Sequence, residues 1–83
     1  MEDFKTLPNK PYSGGIQYIA KFPNNYGASI IRHSFSYGNK LGLYELAVLK
    51  DGHICYDTTI TDDVIGDLTE ENVNNTLAKI ALL

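Results

Sequence analysis

The chain reads as an α+β domain, a four-stranded antiparallel β-meander with one C-terminal α-helix packed on a face. Three observations carry that expectation. From Ile16 onward, short runs alternate apolar and polar residues, the period of a half-buried strand. Asp51-Gly52 stands between two such runs, the strongest short-range signal of a hairpin. After Thr69 the period lengthens, and Val73, Leu77 and Ile80 recur at four and three residues, forming one apolar stripe of a helix.

Residues 1–15 hold two of the three prolines and the adjacent Gly14 and Gly15. They show no sustained period and are expected to form an irregular N-terminal arm ahead of a single domain over 16–83. The first strand starts at Ile16, sets Ile16, Tyr18, Ala20 and Phe22 on one face, and stops at Pro23. Asn24-Asn25-Tyr26-Gly27 supplies the turn, because Asn and Gly tolerate positive φ. The second strand runs from Ala28 to Ser36, with Ile31, His33 and Phe35 on one side and Ile30, Arg32 and Ser34 on the other.

A loop over 37–42 leads to the third strand, Leu43 to Lys50, which sets Tyr44, Leu46 and Val48 opposite Leu43, Glu45, Ala47 and Leu49. The fourth strand returns from His53 to Thr58. Residues 59–68 are less regular; Thr61 predicts a short turn of helix through Val64 and Ile65 that ends at Gly66. Thr69 caps the main helix, which runs from about Glu70 to the C-terminus with Glu70 and Glu71 favoured in the first turn by the helix dipole.

One helix covers one face of a sheet. On straight strands Ile19, Ile30, Leu43, Ala47 and Leu49 point to the other face. An uncovered apolar face implies a partner or a second copy of the chain, unless a bulge turns some of these residues inward.

Charge is distributed unevenly. Residues 1–50 carry six basic and three acidic groups, whereas residues 51–83 carry one basic and seven acidic groups, so an overall net charge of −3 conceals a dipolar molecule. Asp57, Asp62, Asp63, Asp67, Glu70 and Glu71 fall in one stretch without Lys or Arg. An acidic surface of this kind suits a basic groove on a nucleic-acid-handling protein. Asp57, Asp62, Asp63 and Asp67, helped by Tyr26 and Tyr37 in the loops, are the expected partner-binding residues. Helix starts and solvated faces are the structural alternative for the same carboxylates.

Catalytic and metal chemistry find little support. The acidic spacing matches no calcium loop, and a single cysteine, Cys55, with two histidines gives no zinc spacing and no internal disulfide. Arg32 and His33 are neighbours on a strand and face opposite sides. No phosphate loop, dinucleotide fingerprint or nucleophile elbow occurs. No enzyme activity, metal or cofactor is expected. No apolar run approaches the ~18 residues of a membrane span, and residues 1–15 lack the apolar core of a signal peptide. A reducing, cytosolic setting is the expectation. The six tyrosines suit interfaces. With the basic residues of the first half they also allow a small nucleic-acid binder as an alternative, against the net negative charge.

Three blocks resemble a known family. Phe22-Pro23-Asn24-Asn25-Tyr26-Gly27-Ala28-Ser29-Ile30-Ile31-Arg32-His33, then Gly42-Leu43-Tyr44-Glu45-Leu46-Ala47-Val48-Leu49, then Tyr56-Asp57-Thr58 with Ile60-Thr61-Asp62-Asp63-Val64-Ile65-Gly66, resemble in this order a family of small, mostly uncharacterised tailed-bacteriophage proteins. The resemblance covers about residues 20–83 and carries over no catalytic or binding residue. It implies a phage gene product in the cytoplasm of an infected bacterium, of the kind that binds and redirects or inhibits a host protein, defence nucleases included. A self-associating structural component is the remaining alternative.

Overall fold

A computed structural model of the chain describes residues 3–12, 14–32, 42–55 and 64–83. It is α+β, with an antiparallel sheet and one C-terminal helix. The described strands are β1 (Asn9–Tyr12), β2 (Gly15–Lys21), β3 (Tyr26–Arg32), β4 (Tyr44–Lys50), β5 (His53–Ile54) and β6 (Ile65–Leu68), followed by helix α1 (Glu70–Ile80). Four antiparallel strands were expected, and the described residues contain six. The first four lie side by side in chain order, and both β5 and β6 pair with the outer edge of β4. The sheet is therefore five columns wide, with two short strands sharing the last column.

The expected hairpins form where their turn chemistry permits. Asp51 and Gly52 take φ of 52° and 83°, so both central residues of the turn are left-handed, as a two-residue hairpin that follows strand twist requires. Lys50 then pairs with His53. Asn25 supplies the left-handed residue between β2 and β3 at φ 70°, and its carbonyl accepts from the Asp51 N–H at 2.9 Å, tying the two turns together.

Within the N-terminal segment expected to be irregular, the described residues form a 3₁₀ turn and a strand. Phe4–Thr6 makes one 3₁₀ turn, capped by the Asp3 side chain accepting from the Lys5 N–H. β1 follows and pairs with β2 from Asn9↔Tyr18 to Tyr12↔Gly15. All four β1 residues are exposed, so the strand has no buried side to impose a period of two on its sequence. The Ile19 N–H donates to the Pro8 carbonyl at 3.0 Å. Antiparallel alternation then turns the backbone groups of Asn9 and Pro11 away from β2. Pro11 has no N–H, so the outer edge of the sheet lacks a donor at that position, a common way of blunting an edge.

A short turn of helix was expected from Thr61 through Val64 and Ile65 to Gly66; residues 61–63 lie outside the described residues, and β6 stands at Ile65–Leu68 instead. Its register with β4 runs Tyr44↔Leu68 and Leu46↔Ile65, with a bulge between them. Two residues, Gly66 and Asp67, therefore oppose Glu45, and Asp67 takes φ 56°. The bulge lets Ile65 and Leu68, three apart, both face the core.

The core lies between one sheet face and α1. Tyr18 and Ala20 of β2, Ala28 and Ile30 of β3, Tyr44, Leu46 and Val48 of β4, and Leu68 of β6 meet Val73, Leu77 and Ile80 of the helix. Phe4 joins them, fully buried. Its ring is edge-on to Tyr18 and to Tyr44, with centroids 5.1 Å away in both cases. Ile30, expected on the uncovered face, is inside, because it pairs with Tyr18 and Leu46, both core residues. Ile31 takes the uncovered side instead.

Thr69 caps α1, its hydroxyl accepting from the Asn72 N–H at 3.1 Å, with Glu70 and Glu71 in the first turn. At the other end the Asn24 amide donates to the carbonyls of Ile80 (3.0 Å) and Leu83 (3.1 Å). The turn before β3 thus ties down the C-terminal end of the helix, where the Ile80 carbonyl also accepts from the Leu83 N–H at 3.1 Å.

Candidate partner-binding surface

Of the residues expected to bind a partner, Asp67 and Tyr26 are described, whereas Asp57, Asp62, Asp63 and Tyr37 lie outside the described residues. Asp67 is exposed and held by the bulge opposite Glu45. Thr69 starts the helix two residues later, which places the exposed Glu70 and Glu71 at the same corner. Glu70 accepts from Lys5 Nζ at 2.7 Å. Hydrogen bonding to that carboxylate, and its charge, raise the Lys5 pKa above the ordinary lysine value.

Tyr26 is elsewhere. It is half-buried against the core edge and pairs with Lys50 at the far end of β4, with Lys50 Nζ 5.1 Å from its ring centroid. Five residues of strand separate the rows of Tyr26 and Asp67, about 17 Å at ~3.3 Å per residue. The fold does not bring these two into one site.

The described residues form at least two concave surfaces. One of about 300 Å³ lies at the turn end of the sheet and includes Lys21, Asn25, Tyr26, Asp51 and Gly52. The other, of about 340 Å³, lies on the sheet face opposite α1. Its floor contains the small residues Ser29 and Ala47, and Ile19, Ile31, Leu49 and Ile54 rise around them. Ile54 is 51% exposed. Gln17 and Ser29 satisfy each other across β2 and β3, the amide donating to the hydroxyl at 2.8 Å. Sequence alternation placed Ile19, Ala47 and Leu49 here, but misassigned the β3 contribution, taking Ile30 in place of Ile31.

The described residues contain no group of three His, Cys, Asp or Glu side chains able to hold a metal ion. Cys55 is half-buried beside the core. Tyr44 is the described tyrosine with a perturbed phenol: burial raises its pKa, against the opposing pull of Arg32, whose guanidinium lies 5.4 Å from the ring centroid. Because the folded value lies above the unfolded one, this contribution to stability is complete below about pH 10 and is lost as pH rises through the folded value. Lys5 acts in the same direction from its exposed position. Thermal midpoints measured from pH 9 to 12 should therefore fall steadily above pH 10, and Tyr44→Phe should flatten that fall. An equal slope in wild type and variant would show that Tyr44 does not couple to unfolding.

No family model, curated protein or solved structure matches the chain. No helix of the described residues is long and apolar enough to cross a membrane.

Proposed function

We propose that this protein is a non-enzymatic phage accessory factor that binds and modulates or inhibits a bacterial host protein, acting in the cytoplasm of the infected cell. The observation that carries the reading is the acidic corner where β6 meets α1. Asp67, Glu70 and Glu71 are all exposed there, and the stretch holding Asp57, Asp62 and Asp63 leads directly into β6. Carboxylates gathered on one side of a dipolar molecule favour a partner with a basic groove, including one that normally handles nucleic acid. The family resemblance supports the same class of partner. Tyr26 and Tyr37 remain proposed contributors, with Tyr26 at a separate end of the sheet from Asp67.

The test is a pull-down from bacterial lysate with tagged wild type beside an Asp62→Asn, Asp63→Asn, Asp67→Asn variant. A stoichiometric host protein captured by the wild type, and lost at least tenfold in the variant at unchanged circular dichroism, is the expected result. Equal capture by both would remove the acidic surface from the account. Retardation of DNA or RNA at low salt would favour the nucleic-acid alternative instead. Self-association through the open sheet face is a second reading, favoured by the apolar side chains that surround Ser29 and Ala47.

A further inference from the structure

We propose that the open sheet face packs against the same face of a second copy of this chain, about a two-fold axis parallel to the strands and lying over β3. The proposal rests on the self-association reading and specifies its geometry.

The face is laid out in rows by the strand register. One row runs Lys10, Gln17, Ile31, Glu45 across β1 to β4, with Asp67 opposite Glu45 in β6. The next runs Ile19, Ser29, Ala47, and the third Lys21, Gly27, Leu49, Ile54. β3 is the middle of the five columns. Charge is split across it: Lys10 and Lys21 lie on the β1–β2 side, Glu45 and Asp67 on the β4–β6 side.

Aligned sheets pack face to face about 10 Å apart with strand directions within about 30°. A two-fold along the strands keeps each row at its own level and exchanges left for right. Ile19 then sits over Ala47 of the other copy, bulk into hollow. Gln17 meets the opposing Glu45 as donor to acceptor, and Lys10 meets the opposing Asp67. Ile31, on the axis, packs on its own mate. A two-fold running across the strands gives a worse fit. It sets Gln17 over the opposing Lys21 and the Glu45 carboxylate over the apolar Leu49, and it brings neither Lys10 nor Lys21 to a carboxylate. The charge layout therefore favours the axis along the strands, which also sets Lys21 over the opposing Leu49, where its alkyl stem packs and its ammonium reaches the rim.

The area sets the strength. Five columns at ~4.8 Å and seven residues at ~3.3 Å give on the order of 500 Å² per copy. The total of about 1,000 Å² is at the threshold for a specific interface. A reversible, concentration-dependent dimer follows. Its rim charges set orientation more than affinity.

Sedimentation of the full chain over a wide concentration range should show a monomer–dimer equilibrium, and Ala47→Glu should weaken it at least tenfold with the circular dichroism unchanged. Single cysteines in a Cys55→Ser background then identify the axis. A short bismaleimide should join Ile31→Cys to itself and leave Ile19→Cys unjoined. Monomer at every concentration would overturn the proposal together with the self-association reading. A dimer indifferent to Ala47→Glu would move the interface to another surface. Efficient joining of Ile19→Cys without Ile31→Cys would overturn the axis while leaving self-association standing.

Discussion

Replacing Phe4 with alanine should lower the stability of this domain by about 3–5 kcal/mol. The side chain is fully buried, and truncation opens a cavity lined by Tyr18 and Tyr44. The edge-to-face geometry of both pairs, at interplanar angles of 83° and 79°, adds about 0.5–1.5 kcal/mol to each contact beyond area. The backbone cannot readily follow the shrunken side chain into the gap, because the Phe4 N–H is fixed to Asn74 Oδ1 at 2.8 Å. For a domain of this size the loss corresponds to a drop in Tm of roughly 15–30 °C. Thermal unfolding followed by circular dichroism measures it directly. Phe4→Leu, which refills most of the volume, should recover more than half of the loss. A drop below about 5 °C for Phe4→Ala would mean that the N-terminal turn does not contribute to the core.

Gly27→Ala should cost about 3 kcal/mol, the upper end of what overpacking usually does. Gly27 pairs with Lys21 across β2 and β3. A Cβ there would overlap the Ala20 carbonyl oxygen and stand 3.2 Å from the carbonyl carbon and 3.4 Å from Lys21 Cα. Every one of these atoms is backbone, so no rotamer change relieves the clash, and β2 must move away from β3. Hydrogen exchange should show the effect as faster amide exchange along the β2–β3 ladder, with α1 less affected. Undiminished protection of that ladder, together with a wild-type Tm, would contradict the close approach.

The parts of the fold that were legible in the sequence are those in which local chemistry and burial agree. β2 and β4 alternate because each has one buried side. Asp51-Gly52 forms the expected turn because both residues accept positive φ. Thr69 caps α1, and Val73, Leu77 and Ile80 bury the expected stripe. β1 was hidden because an edge strand with every residue exposed has no reason to alternate. β6 was misread for a sharper reason. Thr61 and Gly66 read as the cap and stop of a helical turn, whereas in the structure Gly66 lies in the bulge that lets both Ile65 and Leu68 face the core. The face assignment in β3 failed because Ile30 and Ile31 are chemically equal, and only the partners Tyr18 and Leu46 decide between them. Of the candidate partner-binding residues, Asp67 was singled out by composition alone, and it is exposed. Nothing in the sequence placed it at the opposite end of the sheet from Tyr26, since that separation depends on the register of three strands.

The fastening of Phe4 and Lys5 to Asn74 and Glu70 joins segments that are about seventy positions apart. Synthesis on the ribosome delivers them in the order least convenient for that joint. The β1–β2 and β2–β3 hairpins pair neighbours and are free to form early, whereas contacts between distant segments pay a larger closure entropy and form late. Phe4 emerges first and finds its full surroundings last, once α1 has been made. A nascent chain stopped short of α1 would therefore present Phe4, Ile30, Leu46 and Val48 on one bare sheet face, and that intermediate is the form on which chaperones and proteases of the producing cell would act.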